Sequence, residues 1–196
     1  MRFGAGVIGV AALATLITRI FLKMDADDIG LVSAVWELLR YFTIWTNLLI
    51  GLFGCWTALG GRAPQWVAVC LALSIVVVAG VYHVLLAHLN DFVGIDLVID
   101  HMFHSVIPAA FVVLWLFALP KAQLLFSDMV WFMAYPFIYC VYALGRGAVD
   151  ATYPYGFLNV TNLGAGGVAV NVAGLVVVFG LGGLALIAIG KMAARR

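Results

Sequence analysis

The stretch Trp66–Leu86, WVAVCLALSIVVVAGVYHVLL, contains no Asp, Glu, Lys or Arg along its whole length. A helix that crosses the hydrocarbon core of a bilayer needs about 20 consecutive, mostly apolar residues. Shorter apolar runs are usual for buried helices of soluble proteins, but this stretch is long enough to cross a membrane. It therefore predicts a transmembrane helix.

Further stretches of the chain have the same apolar character. In order, the predicted spans are Ala5–Leu22, Ser33–Leu59, Trp66–Leu86, Met102–Leu119, Asp128–Leu144 and Gly167–Ile189. The sequence thus predicts an all-α integral membrane bundle of six transmembrane helices, forming a single domain over residues 1–196. The first span follows a single Arg2 and leads into five more, which favours a retained helix over a cleaved signal peptide.

The overall composition agrees with this class of protein. Hydrophobic residues make up 66% of the 196 residues, charged residues only 10%, and the mean hydropathy is +1.16. Soluble domains are about half apolar and one quarter charged, so a soluble fold is excluded. The formal charge of +1 and the lack of a basic surface exclude a nucleic-acid partner, and leave membrane lipids as the expected partners. The pattern leaves open whether the chain forms a homo-oligomer.

Positive charges predict how the bundle is oriented, because Lys and Arg are enriched in cytoplasmic loops. If successive loops alternate between the two sides, one side carries Arg2, Arg62, Lys121, Lys191, Arg195 and Arg196, and the other Lys23 and Arg146. The excess on the first side predicts that both termini are cytoplasmic.

The second predicted span carries a polar face. Glu37, Arg40 and Thr43 follow one another at intervals of three residues, and Thr46 with Asn47 continues the same side of a helix. Ionisable groups within membrane spans are costly and normally face a bundle interior or a water-filled cavity. This face is therefore expected to border a polar cavity.

Other spans place polar residues in the same leaflet, on the side away from the cytoplasm. They are Arg19, Tyr82, His83, His88, Asp100, His101 and His104. Because these placements come from separate helices, they predict one shared cavity in the outer leaflet.

Simpler roles remain open for the individual members. Thr43 in a membrane helix can donate to the carbonyl one turn back, at Leu39. Glu37 and Arg40 can form an intrahelical ion pair, and Arg19 can extend to the interface.

A threonine and a histidine on neighbouring helices would support ester hydrolysis. A threonine hydroxyl becomes nucleophilic when a base takes its proton, and imidazole is the usual partner. Thr43 would attack the ester and His104 would act as base; water would then release the acid, so no metal or organic cofactor is required. Arg40, Asn47 or Tyr82 would steady the oxyanion, and Glu37 or Asp100 would orient the histidine.

Two other function classes fit the same residues. Histidines on facing helices can ligate haem iron, and His83 with His101 or His104 would supply such a pair. A transporter or lipid-binding protein would use the same cavity without chemistry. The chain lacks the internal symmetry typical of a transporter.

Three segments carry a family resemblance. RYFTIWTNLL at Arg40–Leu49, HSVIP at His104–Pro108 and YPYGFLNV at Tyr153–Val160, in this order, resemble the family of androgen-induced (ADTRP-like) six-helix membrane proteins. The resemblance extends over nearly the whole chain in helix number and motif order. It implies a multi-pass protein of the bacterial inner (plasma) membrane, since the family has many bacterial members.

For animal members the resemblance implies hydrolysis of fatty acid esters of hydroxy fatty acids by an intramembrane threonine with a histidine partner. By motif, these roles fall on Thr43 and His104, and His101, one turn away, stays the alternative base. The segment that begins at Tyr153 lies in the outer loop before the last span, where its aromatic residues are expected to form a lid over the cavity. Tyr153 is the residue of this segment predicted to support substrate binding.

Overall fold

The computed structural model describes residues 1–89, 91–121 and 123–193, and within them it contains α-helices and no strand, as predicted. The α-helices are α1 (Arg2–Asp27), α2 (Leu31–Leu38), α3 (Phe42–Ala58), α4 (Gln65–Val81), α5 (Gly94–His101), α6 (Ile107–Phe117), α7 (Met129–Asp150) and α8 (Val160–Ala193). Shorter turns continue or connect several of them.

Within the described part of the chain, five helical segments are long and apolar enough to cross a membrane. They are Arg2–Asp27, Gln65–Leu89, Gly94–Phe117, Phe126–Asp150 and Val160–Ala193. A bent pair, α2 with α3, gives a sixth if the two helices count as one span. The chain is therefore consistent with a multi-pass membrane protein, and the observed segments generally extend beyond the predicted ones.

The prediction of one continuous helix over Ser33–Leu59 is wrong. Helix α2 ends at Leu38, α3 begins at Phe42, and the two are bent by 103°. Tyr41, which precedes α3, has an extended backbone with φ of −98° and ψ of 132°. Helix α3 alone has 17 residues and so extends over about 25 Å. The bend therefore places α2 across the end of α3.

Aromatic side chains satisfy the backbone groups that the bend exposes. The carbonyl of Leu39 accepts a hydrogen bond from Trp45 Nε1 at 2.7 Å, and the carbonyl of Arg40 accepts one from the Tyr139 hydroxyl, also at 2.7 Å. Free carbonyls are costly in an apolar environment, so these donors stabilise the bend. One of them comes from α7, far away in the chain, which explains why local hydropathy did not predict the break.

Two helices contain wider π-helical turns at the same end of the bundle. One turn, Tyr82–Leu86, continues α4; the other, Met102–Val106, joins α5 to α6. The second turn directly precedes Pro108, whose ring lacks an N–H and would clash with the carbonyl four residues earlier in a regular helix. The fourth predicted span therefore begins at Gly94 and not at Met102, because the chain stays helical through the π turn.

Glycines bring α1 and α3 into backbone contact. A Cβ at Gly9 would lie 2.7 Å from the Cys55 nitrogen, and a Cβ at Gly54 would lie 2.5 Å from the Ala5 carbonyl oxygen. Close approach through small residues is the usual way in which membrane helices pack. This contact fixes α3, and with it the first residues after the bend.

The two ends of the bundle differ in charge. At one end, Arg2 lies beside Gly60, and Lys191 lies 4.0 Å above the Phe126 ring. Both described ends of the chain lie at this end of the bundle; Arg195 and Arg196 are outside the described residues.

At the other end, ion pairs connect α1 to its neighbours. Arg19 pairs with Asp96 at 2.8 Å, and Lys23 pairs with Glu37 at 2.9 Å. The alternative of an intrahelical pair between Glu37 and Arg40 is therefore wrong, because the bend separates these residues and Lys23 takes the carboxylate.

Candidate active site

An apolar cavity of about 320 Å³ lies among α3, α4, α7, α8 and the loop before α8. Its wall consists mainly of aliphatic and aromatic side chains, such as those of Val77, Met133 and Phe179. Polar groups on the wall come from Thr43, Tyr82, His104, Tyr139 and Tyr155. A few convergent polar groups in an apolar cavity are typical of a site for a small apolar ligand.

The cavity reaches the outer surface of the bundle between α7 and α8. Phe137 on α7 and Val176 on α8 both line it, and they are 67% and 50% exposed. Both exposed side chains are apolar. An apolar molecule can therefore approach the cavity from the side of the bundle.

Thr43 and His104 meet on the wall of this cavity. Thr43 is the second residue of α3, directly after the bend, and His104 lies within the second π turn. The Thr43 Oγ1 atom is 3.4 Å from His104 Nε2. This separation is slightly longer than a strong hydrogen bond, which is common for catalytic pairs before a ligand binds.

The second nitrogen of His104 determines its tautomer. Nδ1 lies 3.1 Å from Asp100 Oδ1 and 3.0 Å from the Asp100 carbonyl oxygen. The carbonyl oxygen can only accept a hydrogen bond, so Nδ1 carries the proton. The lone pair of Nε2 then faces Thr43, which is the arrangement that a general base requires. Asp100, and not Glu37, is therefore the carboxylate that orients the histidine.

Tyr82 positions His104 from the face of its ring. The two rings are stacked, with centroids 3.8 Å apart and an angle of 8° between the planes, and the Tyr82 hydroxyl donates to Asp100 Oδ2. That hydroxyl had been a predicted oxyanion donor, but it is already bound to the carboxylate. Tyr82 therefore holds both the ring and the carboxylate in place.

The loop segment over the cavity contributes Tyr155. Its hydroxyl oxygen accepts the Phe42 N–H at 3.0 Å and lies close to the Thr43 side chain. Burial raises the pKa of Tyr155, so its hydroxyl stays protonated at neutral pH. Tyr155, Phe157 and Leu158 all line the cavity, which agrees with the expected lid.

Sequence reasoning selected the wrong tyrosine of this loop. A Cβ at Gly147 would lie 2.3 Å from the Tyr153 ring, so Tyr153 packs against α7 outside the cavity wall. The motif YPYGFLNV contains both tyrosines, and nothing in their local spacing distinguishes them. Tyr155 is distinguished only by the tertiary structure, because its hydroxyl accepts the Phe42 N–H next to the bend.

Other predicted site residues lie outside the cavity wall. Arg40 Nη1 binds Asp150 Oδ1 at 3.0 Å and the Thr152 carbonyl at 2.5 Å. Asn47 Nδ2 donates to the Thr43 carbonyl at 2.9 Å within α3. Arg40 and Asn47 are therefore occupied by structural contacts, and the predicted continuous polar face over three turns is not formed.

The remaining histidines have separate surroundings. His83 Nε2 lies 3.1 Å from Ser105 Oγ, and His101 is exposed. The haem alternative that uses His104 would require this residue to leave both Thr43 and Asp100, since both of its ring nitrogens are engaged.

The arrangement is a chain of carboxylate, imidazole and hydroxyl that ends at an apolar cavity. The order of its groups is that of the catalytic triads of hydrolases, with a threonine in the position of the serine. Comparisons of the chain with family models, with curated proteins and with solved structures find no match.

Proposed function

We propose that this protein is an intramembrane hydrolase of lipid esters, with Thr43 as nucleophile and His104 as general base. The observation that carries the proposal is the chain from Asp100 through His104 to Thr43, which ends at the apolar cavity. A structural role alone would not require an oriented imidazole to face a hydroxyl on the wall of a cavity.

In the first step, Thr43 Oγ1 attacks the ester carbonyl carbon while His104 Nε2 takes the hydroxyl proton. The carbonyl electron pair moves onto oxygen and forms the oxyanion. When the intermediate collapses, the bond to the alcohol oxygen breaks, and the imidazolium returns the proton to that oxygen. The products of this step are the free alcohol and an acyl ester of Thr43.

In the second step, water replaces the alcohol. His104 Nε2 takes a proton from the water as its oxygen attacks the acyl carbon, and the second intermediate expels Thr43 Oγ1. The proton returns to that oxygen, which restores the resting hydroxyl. Asp100 keeps the imidazole in the same tautomer throughout and stabilises its charged form.

The cavity supports an apolar ester as the substrate. Its wall is mostly hydrocarbon, and its opening at Phe137 and Val176 is apolar on both sides. A lipid dissolved in the bilayer can enter there without crossing water. Fatty acid esters of hydroxy fatty acids, or similar long-chain esters, meet this requirement and are the class that the family resemblance implies.

The proposed topology has six crossings, with α3 as the second, and the site in the leaflet away from the cytoplasm. The two described ends of the chain would then be cytoplasmic, together with Arg2, Arg62, Lys121 and Lys191, in a bacterial inner membrane. In this arrangement α2 lies across the bundle at the membrane surface, where Trp36 and Val32, 55% and 82% exposed, contact the interface.

The test uses the purified protein in detergent. Wild type is expected to cleave a fluorogenic long-chain ester and to react with a fluorophosphonate probe. Thr43→Ala should lose both activities, with turnover lower by roughly 10⁴-fold or more, and His104→Ala should be similarly impaired. Thr57→Ala, at the other end of α3, is the matched control and should behave like wild type.

Either of two outcomes contradicts the proposal. One is a wild type that neither hydrolyses esters nor reacts with the probe; the same cavity would then indicate a lipid-binding or transport role. The other is a Thr43→Ala variant that retains full turnover.

A further inference from the structure

The N-terminus of α3 has a side chain from another part of the chain as its cap. Tyr41, the residue before the helix, makes no capping hydrogen bond through its side chain. The hydroxyl oxygen of Tyr155 instead accepts the Phe42 N–H and lies close to the Thr43 backbone. These N–H groups have no partner within the helix.

The same hydroxyl also contacts the proposed nucleophile. Tyr155 lies close to the Thr43 and Tyr139 side chains, and the Tyr139 hydroxyl donates to the Arg40 carbonyl. Thr43 donates its own proton toward His104 Nε2. The protons of Thr43 and Tyr139 are therefore directed elsewhere, so the Tyr155 proton faces one of these two hydroxyl oxygens.

Attack on an ester places a new negative charge near the Tyr155 proton. Thr43 Oγ1 uses a lone pair to form the new bond to carbon, and negative charge develops on the former carbonyl oxygen, two covalent bonds away. A phenolic hydroxyl can rotate about its C–O bond, so its proton can follow the charge. The backbone N–H groups behind the Tyr155 oxygen polarise the hydroxyl and make it a stronger donor.

We propose that Tyr155 is the catalytic residue that donates a hydrogen bond to the oxyanion during ester hydrolysis, supported by the N-terminus of α3. This assignment rests on the proposed function. The groups predicted from sequence have other partners: Tyr82 donates to Asp100, Arg40 binds Asp150, and Asn47 donates to the Thr43 carbonyl. Tyr155 is also on the cavity wall, beside the reacting hydroxyl.

The main variant is Tyr155→Phe, which keeps the ring and removes the donor. Loss of one oxyanion donor typically lowers kcat by about 10²- to 10³-fold, and KM should stay within about threefold because the donor acts in the transition state. Affinity for a long-chain trifluoromethyl ketone, which forms a tetrahedral adduct with the nucleophile, should fall by a similar factor. Tyr153→Phe, in the same loop but outside the cavity wall, is the control and should match wild type.

The leaving group distinguishes oxyanion stabilisation from proton donation to the alcohol. If Tyr155 stabilises the oxyanion, Tyr155→Phe should slow a p-nitrophenyl ester and an alkyl ester by similar factors. If it protonates the alcohol, only the alkyl ester should slow strongly, and that result would overturn the assignment.

A second measurement applies if Tyr155→Phe does not fold. Replacing Tyr155 by 3-fluorotyrosine keeps the cap and makes the hydroxyl a stronger donor, so affinity for the trifluoromethyl ketone should rise. An unchanged affinity would overturn the assignment.

Failure of the inference and failure of the proposed function give different results. If wild type hydrolyses esters and Tyr155→Phe retains kcat within about threefold, Tyr155 is only a helix cap, and the hydrolase assignment stands. If wild type is inactive on every ester tested, both proposals are wrong.

Discussion

Two polar clusters lie at the same end of the bundle, and they differ in what they face. The proposed catalytic chain, formed by Asp100, His104 and Thr43, ends at the wall of an apolar cavity. The arginine cluster, formed by Arg40, Arg146 and Asp150, instead faces backbone and aromatic rings. Similar residue types can therefore serve chemistry in one cluster and structure in the other, depending on whether a ligand can reach them.

The contacts of the arginine cluster are those of a structural connection. Arg146 Nη1 donates to the Trp36 carbonyl at 2.5 Å and to the Tyr142 hydroxyl at 2.9 Å, and its guanidinium lies 4.0 Å above the Trp36 ring. Asp150 lies between Arg146 and Arg40. The cluster thus connects α2 and the bend to α7, and we expect its loss to affect stability more than chemistry.

Three variants test the difference between the two clusters. Of these, Asp100→Asn is expected to have the largest effect, a loss of turnover. An amide can donate to His104 Nδ1 and favour the tautomer with its proton on Nε2, which removes the base. The Asp100 carbonyl still accepts from Nδ1, so part of the correct tautomer should survive. We expect kcat to fall by about 10²- to 10³-fold, less than the loss of roughly 10⁴-fold seen when the triad carboxylate of a serine protease is changed.

Steady-state kinetics on the fluorogenic ester measure this effect. Asp96→Asn is the matched control, because it removes a carboxylate of the same helix that pairs only with Arg19 among the described residues. Wild-type turnover in Asp100→Asn would show that the carboxylate does not orient the base.

An intermediate effect, on stability alone, is expected for Arg146→Met. The side chain is buried, and its charged hydrogen bonds are lost, whereas Asp150 keeps its pair with Arg40. The free energy of unfolding should fall by about 2 kcal/mol, while kcat of the folded protein stays within about threefold. Thermal unfolding in detergent and ester turnover should be measured on the same preparation.

Arg62→Met, an exposed position at the other end of the bundle, controls for the loss of a positive charge. A large fall in kcat at unchanged stability would place Arg146 in the chemistry and remove the distinction between the two clusters.

The smallest effect is expected for Glu37→Gln. Its carboxylate is 44% exposed, and its partner Lys23 also binds Asp27. Exposed ion pairs contribute little, so the loss should be at most about 0.5 kcal/mol and should shrink at high salt. Denaturation at low and high salt measures it. Strongly reduced turnover would instead support the predicted role of Glu37 beside the histidine.

The polar residues were predicted to meet at one end of the bundle, and most of them do. Hydropathy located the spans, and the depth of each polar residue followed from its position within its span. Arg19, Tyr82, Asp100 and His104 accordingly lie together at one end of the structure. What the pattern did not predict was which of these residues share a cavity, because depth along a helix does not determine the direction of a side chain.

The bend shows why helix periodicity predicted the wrong neighbours for Glu37 and Arg40. Intervals of three residues place Glu37, Arg40 and Thr43 on one face only if the helix is continuous. The break between α2 and α3 turns Glu37 toward Lys23 and Arg40 toward Asp150, and leaves Thr43 at the start of a new helix. No glycine or proline at the break signals it in the sequence.

The sequence by itself determined the all-α class, the number of apolar stretches and the end of the bundle where polar groups collect. These depend on transfer free energies that add residue by residue along the chain. The tertiary structure alone decided the bend, the contact of Thr43 with His104 and the choice of Tyr155 over Tyr153. The backbone groups of the bend are satisfied by Tyr139 and Tyr155, 99 and 113 positions away, and partners at such distances are brought together only by folding.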